Sequence, residues 1–148
     1  MAQVLTMGEV EEATTVAQIT ACFKVVQQLR PHLSEEKAFL DQVKRQMMEG
    51  YHLVYLQEGQ AVKAVAGYRF LEFLAWGKVL YIDDLITDEK ARRNGLGARL
   101  LNWIVEEAKK VKCNQIHLDS GYQRHDAHRL YLNHGFKIFA HHFAKDVV

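Results

Sequence analysis

The sequence is poor in the residues and runs that mark several protein classes. It has one proline and two cysteines, Cys22 and Cys113, in 148 residues. So few cysteines predict no structural disulfide, and we expect a reduced, cytoplasmic setting. No apolar run reaches the roughly 18 residues of a membrane span, and the acidic start lacks an apolar core. We therefore expect neither a transmembrane helix nor a signal peptide.

An excess of charge of one sign is also lacking. The formal net charge is +1, so no global field would recruit nucleic acid or an anionic membrane. The composition is that of a soluble globular protein, with 49% hydrophobic and 25% charged residues. No repeat, linker or low-complexity segment divides the chain. Its length predicts a single domain over residues 1–148.

Hydrophobic periodicity and turn residues predict strands and helices in the order βααβββαβαβ. Thr15 and Gln18 form an expected capping box for the first helix, and Ser34 is expected to cap the second. The turn Glu58-Gly59-Gln60 predicts a hairpin. The predicted strands are residues 3–7, 51–57, 61–71, 79–86, 114–120 and 136–147, and the predicted helices are residues 15–29, 35–48, 96–110 and 125–134.

The stretch Tyr81–Lys112 is the part of the sequence most informative about function. A buried strand is predicted first, then a polar loop with Arg92 and Arg93, then an amphipathic helix. Gly95 and Gly97 fall in the first turn of that helix, where they lower helical propensity. A helix start with open N–H groups, small residues and arginines beside it predicts an anion site, specifically for phosphate. The P-loop pattern and the third glycine of a dinucleotide fingerprint are both missing.

Two motifs in this region resemble the signatures of the GNAT superfamily of N-acetyltransferases. Arg92-Arg93-Asn94-Gly95-Leu96-Gly97 has the pattern Q/R-x-x-G-x-G/A between a predicted strand and a predicted helix. Ala127–Phe136 is similar to the second signature, a short helix reading A-x-x-x-Y that runs into Gly-Phe. The resemblance is most specific over Tyr81–Phe136, and the order of elements extends it over nearly the whole chain.

This resemblance implies an α/β (α+β) fold of the GNAT type, with helices flanking a central mixed, mostly antiparallel sheet. The family usually closes with a two-strand hairpin, whereas the residues after Gly135 leave room for little more than one long strand. The cover of the far edge of the sheet therefore stays open. Pairing with a second subunit in a homodimer is one solution.

The resemblance also implies acetyl-CoA as the acyl donor. Its pyrophosphate is expected on the backbone N–H groups of Arg93–Ala98, beside the charges of Arg92 and Arg93. Its pantetheine arm is expected along the central strand, where the family's strand bulges. Arg124 stands where the family often has an asparagine, and it could reach a cofactor phosphate or an anionic substrate group. The predicted cofactor-binding residues are Leu85, Ile86, Thr87, Arg92, Arg93, Asn94, Gly95, Leu96, Gly97, Ala98 and Arg124.

The catalytic candidates are one tyrosine and two acids. Tyr131 falls on the tyrosine of the second signature, which in many family members protonates the departing thiolate. A phenol suits that task, and packing of the ring on the cofactor is the alternative. Asp84, Asp119 or a water chain is the expected base. Asp83 and Asp84 are expected to point to opposite faces of the strand, where a carboxylate is costly unless paired.

The sequence thus predicts transfer of an acetyl group from acetyl-CoA to a primary amine by direct attack in a ternary complex. The alternative is a non-catalytic acyl-CoA sensor on the same fold, and the presence of Tyr131 beside an intact loop favours the enzyme. The acceptor could be a small-molecule or a peptide amine. No metal site is predicted, because histidines such as His125 and His128 have no Cys or Glu partner at zinc-like spacing.

Overall fold

The computed structural model describes residues 6–148 and consists of a five-stranded sheet flanked by helices. The elements, in chain order, are β1 (Glu11–Glu12), α1 (Val16–Ala21), α2 (Phe23–Leu29), α3 (Glu36–Met48), β2 (Tyr51–Glu58), β3 (Ala61–Phe73), β4 (Gly77–Thr87), a 3-10 turn (Glu89–Ala91), α4 (Leu96–Lys110), β5 (Gln115–Leu118) and α5 (His125–Asn133). This architecture confirms the predicted fold class.

The sheet is mixed, and its order follows the chain from β1 to β5. The pairs β1–β2, β2–β3 and β3–β4 are antiparallel. At the start of β5, the backbone N–H of Asn114 donates to the carbonyl of Lys78 at 2.7 Å. Lys78 lies at the start of β4, so β4 and β5 run parallel, as the α4 crossover between them requires.

The sheet buries one face under α1–α3 and the other under α4. The α4 helix places Leu96, Leu100, Leu101, Ile104 and Ala108 in the core, and it contacts β2, β3 and β4. On the opposite face, α1, α2 and α3 pack on the sheet. The buried side chains of the helices are Ile19, Phe23, Val26, Phe39 and Val43, and those of the strands are Tyr51, Leu53, Tyr55, Val65 and Ile86. Burial of these apolar side chains is the main stabilising contribution to the fold.

The first predicted helix is interrupted. Thr15 and Gln18 form the expected capping box. The helix then breaks at Cys22, whose N–H donates to Ile19 at 3.1 Å, a three-residue spacing. The Thr20 hydroxyl donates to the Val16 carbonyl at 2.6 Å, a bond that bends helices.

Two other details of the sequence-based prediction are wrong, at the cap of α3 and at the last strand, and most of the predicted first strand stays untested. Ser34 precedes the N-cap of α3, which is Glu35, so the expected Ser34 cap does not form. Residues 3–5 of the predicted first strand lie outside the described residues, and Met7 forms only an isolated bridge to Glu58. The predicted last strand, Phe136–Val147, is absent because residues 136–148 form no ladder with a neighbouring backbone.

By density of contacts the chain divides into two units, Met1–His117 and Leu118–Val148. The first holds the sheet up to β5 and the helices α1–α4. The second holds α5, which ends where Gly135 adopts a left-handed φ of 84°. The prediction of a single domain stays a prediction.

The two cysteines differ in environment, which predicts their reactivity. Cys22 is fully buried, and burial raises the pKa of its thiol to about 12. Cys113 is half-buried, and burial raises the pKa of its thiol as well. At pH 8 a disulfide reagent should therefore modify one thiol per folded chain, at Cys113, and two after unfolding. Loss of the reactive thiol in Cys113→Ser is the check; rapid labelling of Cys22 would contradict the packing.

Candidate active site

The loop between β4 and α4 is built around two left-handed residues. Arg93 has φ 69° and Gly95, the N-cap of α4, has φ 73° and ψ 15°. A Cβ on Gly95 would meet nothing within 4 Å, so the backbone conformation and not crowding favours glycine there. The space over this backbone is open, which a ligand that approaches the main chain requires.

The start of α4 presents unsatisfied donors. No side chain caps it, and the first helical bond is from Arg99 N–H to Gly95 carbonyl at 3.0 Å. The N–H groups of the first turn, at Leu96, Gly97 and Ala98, therefore have no acceptor within the helix. Together with the helix dipole, these groups attract an anion.

Two cations stand beside this helix start. Arg92 and Arg93 are exposed, and neither forms an ion pair or a side-chain hydrogen bond within residues 6–148. Asn94 is likewise exposed. The donors, the charges and the open space fit a diphosphate group, which the sequence predicted for this loop.

The strand that leads into this loop carries a β-bulge. Gly67 of β3 pairs with Asp84 and Tyr68 pairs with Ile82, so Asp83 is an extra residue in β4. Beyond the bulge, Leu85, Ile86 and Thr87 return to regular pairing with β3. The three residues predicted to contact the cofactor arm thus lie between the bulge and the anion-binding loop.

The bulge overturns one expectation. Asp83 and Asp84 do not point to opposite faces, because the extra residue cancels the alternation. Tyr51 and Arg69 are directly paired on one face. The Tyr51 hydroxyl donates to Asp84 Oδ2 at 2.7 Å, and the Arg69 guanidinium donates to Asp83 at 2.6 and 3.1 Å. Both carboxylates therefore lie on the face covered by α1–α3.

Asp84 is also bound from α2. Arg30, the C-cap of that helix, donates from Nε to Asp84 Oδ1 at 3.0 Å. Its Nη2 donates to the backbone carbonyl of Asp83 at 2.9 Å. Both oxygens of Asp84 are thus occupied by protein donors. Each carboxylate oxygen has a second acceptor site, so Asp84 can still accept a further hydrogen bond.

Burial and neighbouring charges shift the pKa values of this group. Burial raises the pKa of the Asp83 carboxyl, while the bond from Arg69 opposes that shift. The pKa of Arg69 is raised by its bond to Asp83. Burial raises the pKa of Tyr51 far above its usual value, with the charge of Asp84 adding to the effect. The raised pKa favours the protonated hydroxyl that donates to Asp84.

The second unit contains the remaining predicted residues. Tyr131 lies in α5, with its ring 5.9 Å from that of Phe136. Burial raises the pKa of Tyr131, and the charge of Arg124, the N-cap of α5, lowers it. Asp119 contacts His142, whose Nδ1 lies 3.1 Å from the carboxylate.

Sequence reasoning missed Arg30, Tyr51, Gly67, Arg69 and His142 as members of these groups. One signal for them was present: Arg69 is a charged residue in an apolar strand, and the following strand carries two aspartates.

Within residues 6–148, no group of three His, Cys, Asp or Glu side chains is arranged to hold a metal ion. No helix in the same range is long and apolar enough to cross a membrane.

Comparison with known proteins identifies the family. The model of the acetyltransferase (GNAT) family matches residues 16–136, so the chain belongs to this family, as its two motifs predicted. It is 31% identical over 143 residues to the uncharacterized N-acetyltransferase YhdJ of Bacillus subtilis, covering 95% of this chain and 100% of that protein. It is 24% identical over 136 residues to the aminoalkylphosphonate N-acetyltransferase of Salmonella typhimurium, covering 90% of this chain and 88% of that protein.

The fold is shared with solved acetyltransferase structures. An aminoglycoside N-acetyltransferase in complex with CoA superposes with a TM-score of 0.82 at 10% identity, covering 100% of this chain and 99% of that one. As a member of the GNAT family, this chain has the fold of acetyl-CoA-dependent N-acetyltransferases.

Proposed function

We propose that this protein transfers an acetyl group from acetyl-CoA to a primary amine by direct attack in a ternary complex. The observation that carries the proposal is the exposed, uncapped start of α4, with Arg92 and Arg93 beside it, directly after a bulged strand. A sensor would need the same loop, but it would not need an acid at Tyr131.

The edge of β4 that faces the short strand β5 supports the placement of the cofactor arm. β5 has four residues and starts beside Lys78, so at about 3.3 Å per residue its pairing ends near Ile82. Main-chain groups of Leu85–Thr87 on that edge extend past β5 and can accept the arm. The pyrophosphate would lie on the N–H groups that follow Arg92, with Asn94 at the rim. Acetyl-CoA supplies the acetyl group as a thioester.

Tyr131 would donate a proton to the departing sulfur. An ordinary phenol already carries a proton at neutral pH, and burial, which raises the pKa of Tyr131, favours the protonated form further. Asp119 and Asp84 remain the proposed bases. Asp119 is the more accessible, with 46% of its side chain exposed against 15% for Asp84. Arg124 would contact a cofactor phosphate or an anionic acceptor.

The acceptor is proposed to be a small-molecule or peptide amine in a reduced, cytoplasmic setting. One relative is named for aminoalkylphosphonates, primary amines with an anionic group. We therefore place such amines first among candidate acceptors, followed by amino sugars, polyamines and peptides. A homodimer stays a proposal as well.

Calorimetric titration with acetyl-CoA, followed by this panel of amines with thiol release as the readout, tests the function. We expect saturable binding with one site per chain and release of CoA with at least one amine. Cys113→Ser protein should be used, so that the enzyme's own thiol does not react. Absence of binding would exclude the proposal, and binding without turnover would favour the sensor.

A further inference from the structure

We propose that Arg30, Tyr51 and Arg69 are positioning residues, which hold the β4 bulge in the register that cofactor binding requires. The inference rests on the proposed function, because it concerns the main-chain groups of Leu85–Thr87. None of the three residues belongs to the predicted cofactor site. Each would act through Asp83 or Asp84.

The three residues come from three different elements and meet at one irregularity. Arg30 ends α2, Tyr51 begins β2 and Arg69 lies in β3. Arg30 holds the bulge twice, through the Asp84 carboxylate at 3.0 Å and through the Asp83 carbonyl at 2.9 Å. The main-chain bond matters because it fixes the orientation of the extra peptide unit itself.

Tyr51 and Arg69 complete the arrangement. The Tyr51 hydroxyl takes the second oxygen of Asp84, and Arg69 binds Asp83 with both Nε and Nη2. The Arg69 guanidinium also lies 5.5 Å from the centre of the Tyr51 ring, a cation–π contact. The side chains of Tyr51 and Arg69 therefore stabilise each other as well as the bulge.

Gly67 makes the arrangement sterically possible. It is the residue of β3 opposite Asp84, and a Cβ there would overlap the Tyr51 hydroxyl. A side chain at this position would push Tyr51 away from Asp84. The absence of a side chain at Gly67 therefore leaves room for the Tyr51 hydroxyl to reach Asp84.

The register of β4 depends on this group. Loss of the extra residue from the bulge would shift the strand by one position, and a one-residue shift moves every side chain to the other face. Leu85 and Ile86 are buried at 9% and 5% exposure, on opposite faces of the sheet. In such a shift the main-chain N–H and C=O groups of Leu85 and Ile86, which would bind the pantetheine arm, would also change direction. The bonds to Asp83 and Asp84 disfavour that shift.

The test separates binding of the pantetheine arm from binding of the pyrophosphate. CoA carries both groups, whereas 3′-phospho-ADP carries the pyrophosphate without the pantetheine arm. In Arg30→Gln we expect the Kd for CoA to rise about tenfold, the equivalent of one lost charge-assisted bond, with 3′-phospho-ADP unchanged within about twofold. Calorimetry measures both. A merely structural role would move both affinities together or neither.

Two further variants keep the test interpretable. Tyr51→Phe removes only the hydroxyl bond to Asp84 and keeps the ring, so it should show the same separation if Arg30→Gln fails to fold. Arg45→Gln removes an exposed charge from α3 and should leave both affinities unchanged.

The outcomes are distinguishable from failure of the proposed function. Wild-type protein that binds neither ligand would contradict the function itself. Wild-type protein that prefers CoA, with the same preference in Arg30→Gln and Tyr51→Phe, would overturn only the positioning role.

Discussion

Replacing Gly97 by glutamate should abolish acetyl-CoA binding without weakening the fold. Gly97 lies in the first turn of α4, among the N–H groups proposed to hold the pyrophosphate. A carboxylate there would repel the phosphates by several kcal/mol, so we expect affinity to fall about 100-fold or more. The same carboxylate interacts favourably with the helix dipole, and glutamate is a better helix former than glycine.

The opposite signs of the two effects make this variant informative. The melting temperature of Gly97→Glu should stay constant or rise, while calorimetry detects no binding. Asn102→Glu is the matched control, because it adds the same charge to an exposed position of α4 and should bind normally. Undiminished affinity in Gly97→Glu would exclude the loop as the cofactor site.

Replacing Tyr131 by phenylalanine should lower kcat about 100-fold and leave the KM for acetyl-CoA nearly unchanged. The ring contact with Phe136 does not need the hydroxyl, so the variant should fold. Tyr122→Phe is the control, because Tyr122 is 90% exposed in the same unit. A kcat equal to that of wild type would remove Tyr131 from the mechanism.

The pH dependence gives a second measurement of the same role. A phenolate has no proton to donate, so kcat should fall as pH rises through the pKa of Tyr131, which burial places above its ordinary value. The charge of Arg124 lowers that pKa. In Arg124→Gln the alkaline limb should therefore move to higher pH. A simultaneous rise in the KM for acetyl-CoA would assign Arg124 to the cofactor as well. In Tyr131→Phe the limb should be absent.

The local elements were predictable because their signals are contained in short stretches of sequence. The apolar stripe of α4 predicted Leu96–Lys110, the range that the structure shows. The Thr15–Gln18 capping box needs residues three apart, and the β2–β3 turn needs Gly59. The two family motifs are equally local, and the family match confirmed them.

Two predictions failed where pairing between strands decides the outcome. The residues of Phe136–Val147 have the composition of a strand, but a strand exists only when another backbone pairs with it. The alternation rule placed Asp83 and Asp84 on opposite faces because the rule assumes regular pairing. The extra residue in β4 is a property of the β3–β4 register, which no short window of sequence contains.

The sequence by itself determined the family, the helices other than the break at Cys22, and the exposed loop that presents N–H groups after Gly95. Only the tertiary structure decided that Asp84 meets Arg30 and Tyr51, which lie 54 and 33 residues away along the chain. The reason is physical: helix periodicity and glycine conformation act over a few residues. The partner of a charged group is chosen instead by strand register and helix packing, which bring distant residues within hydrogen-bonding distance.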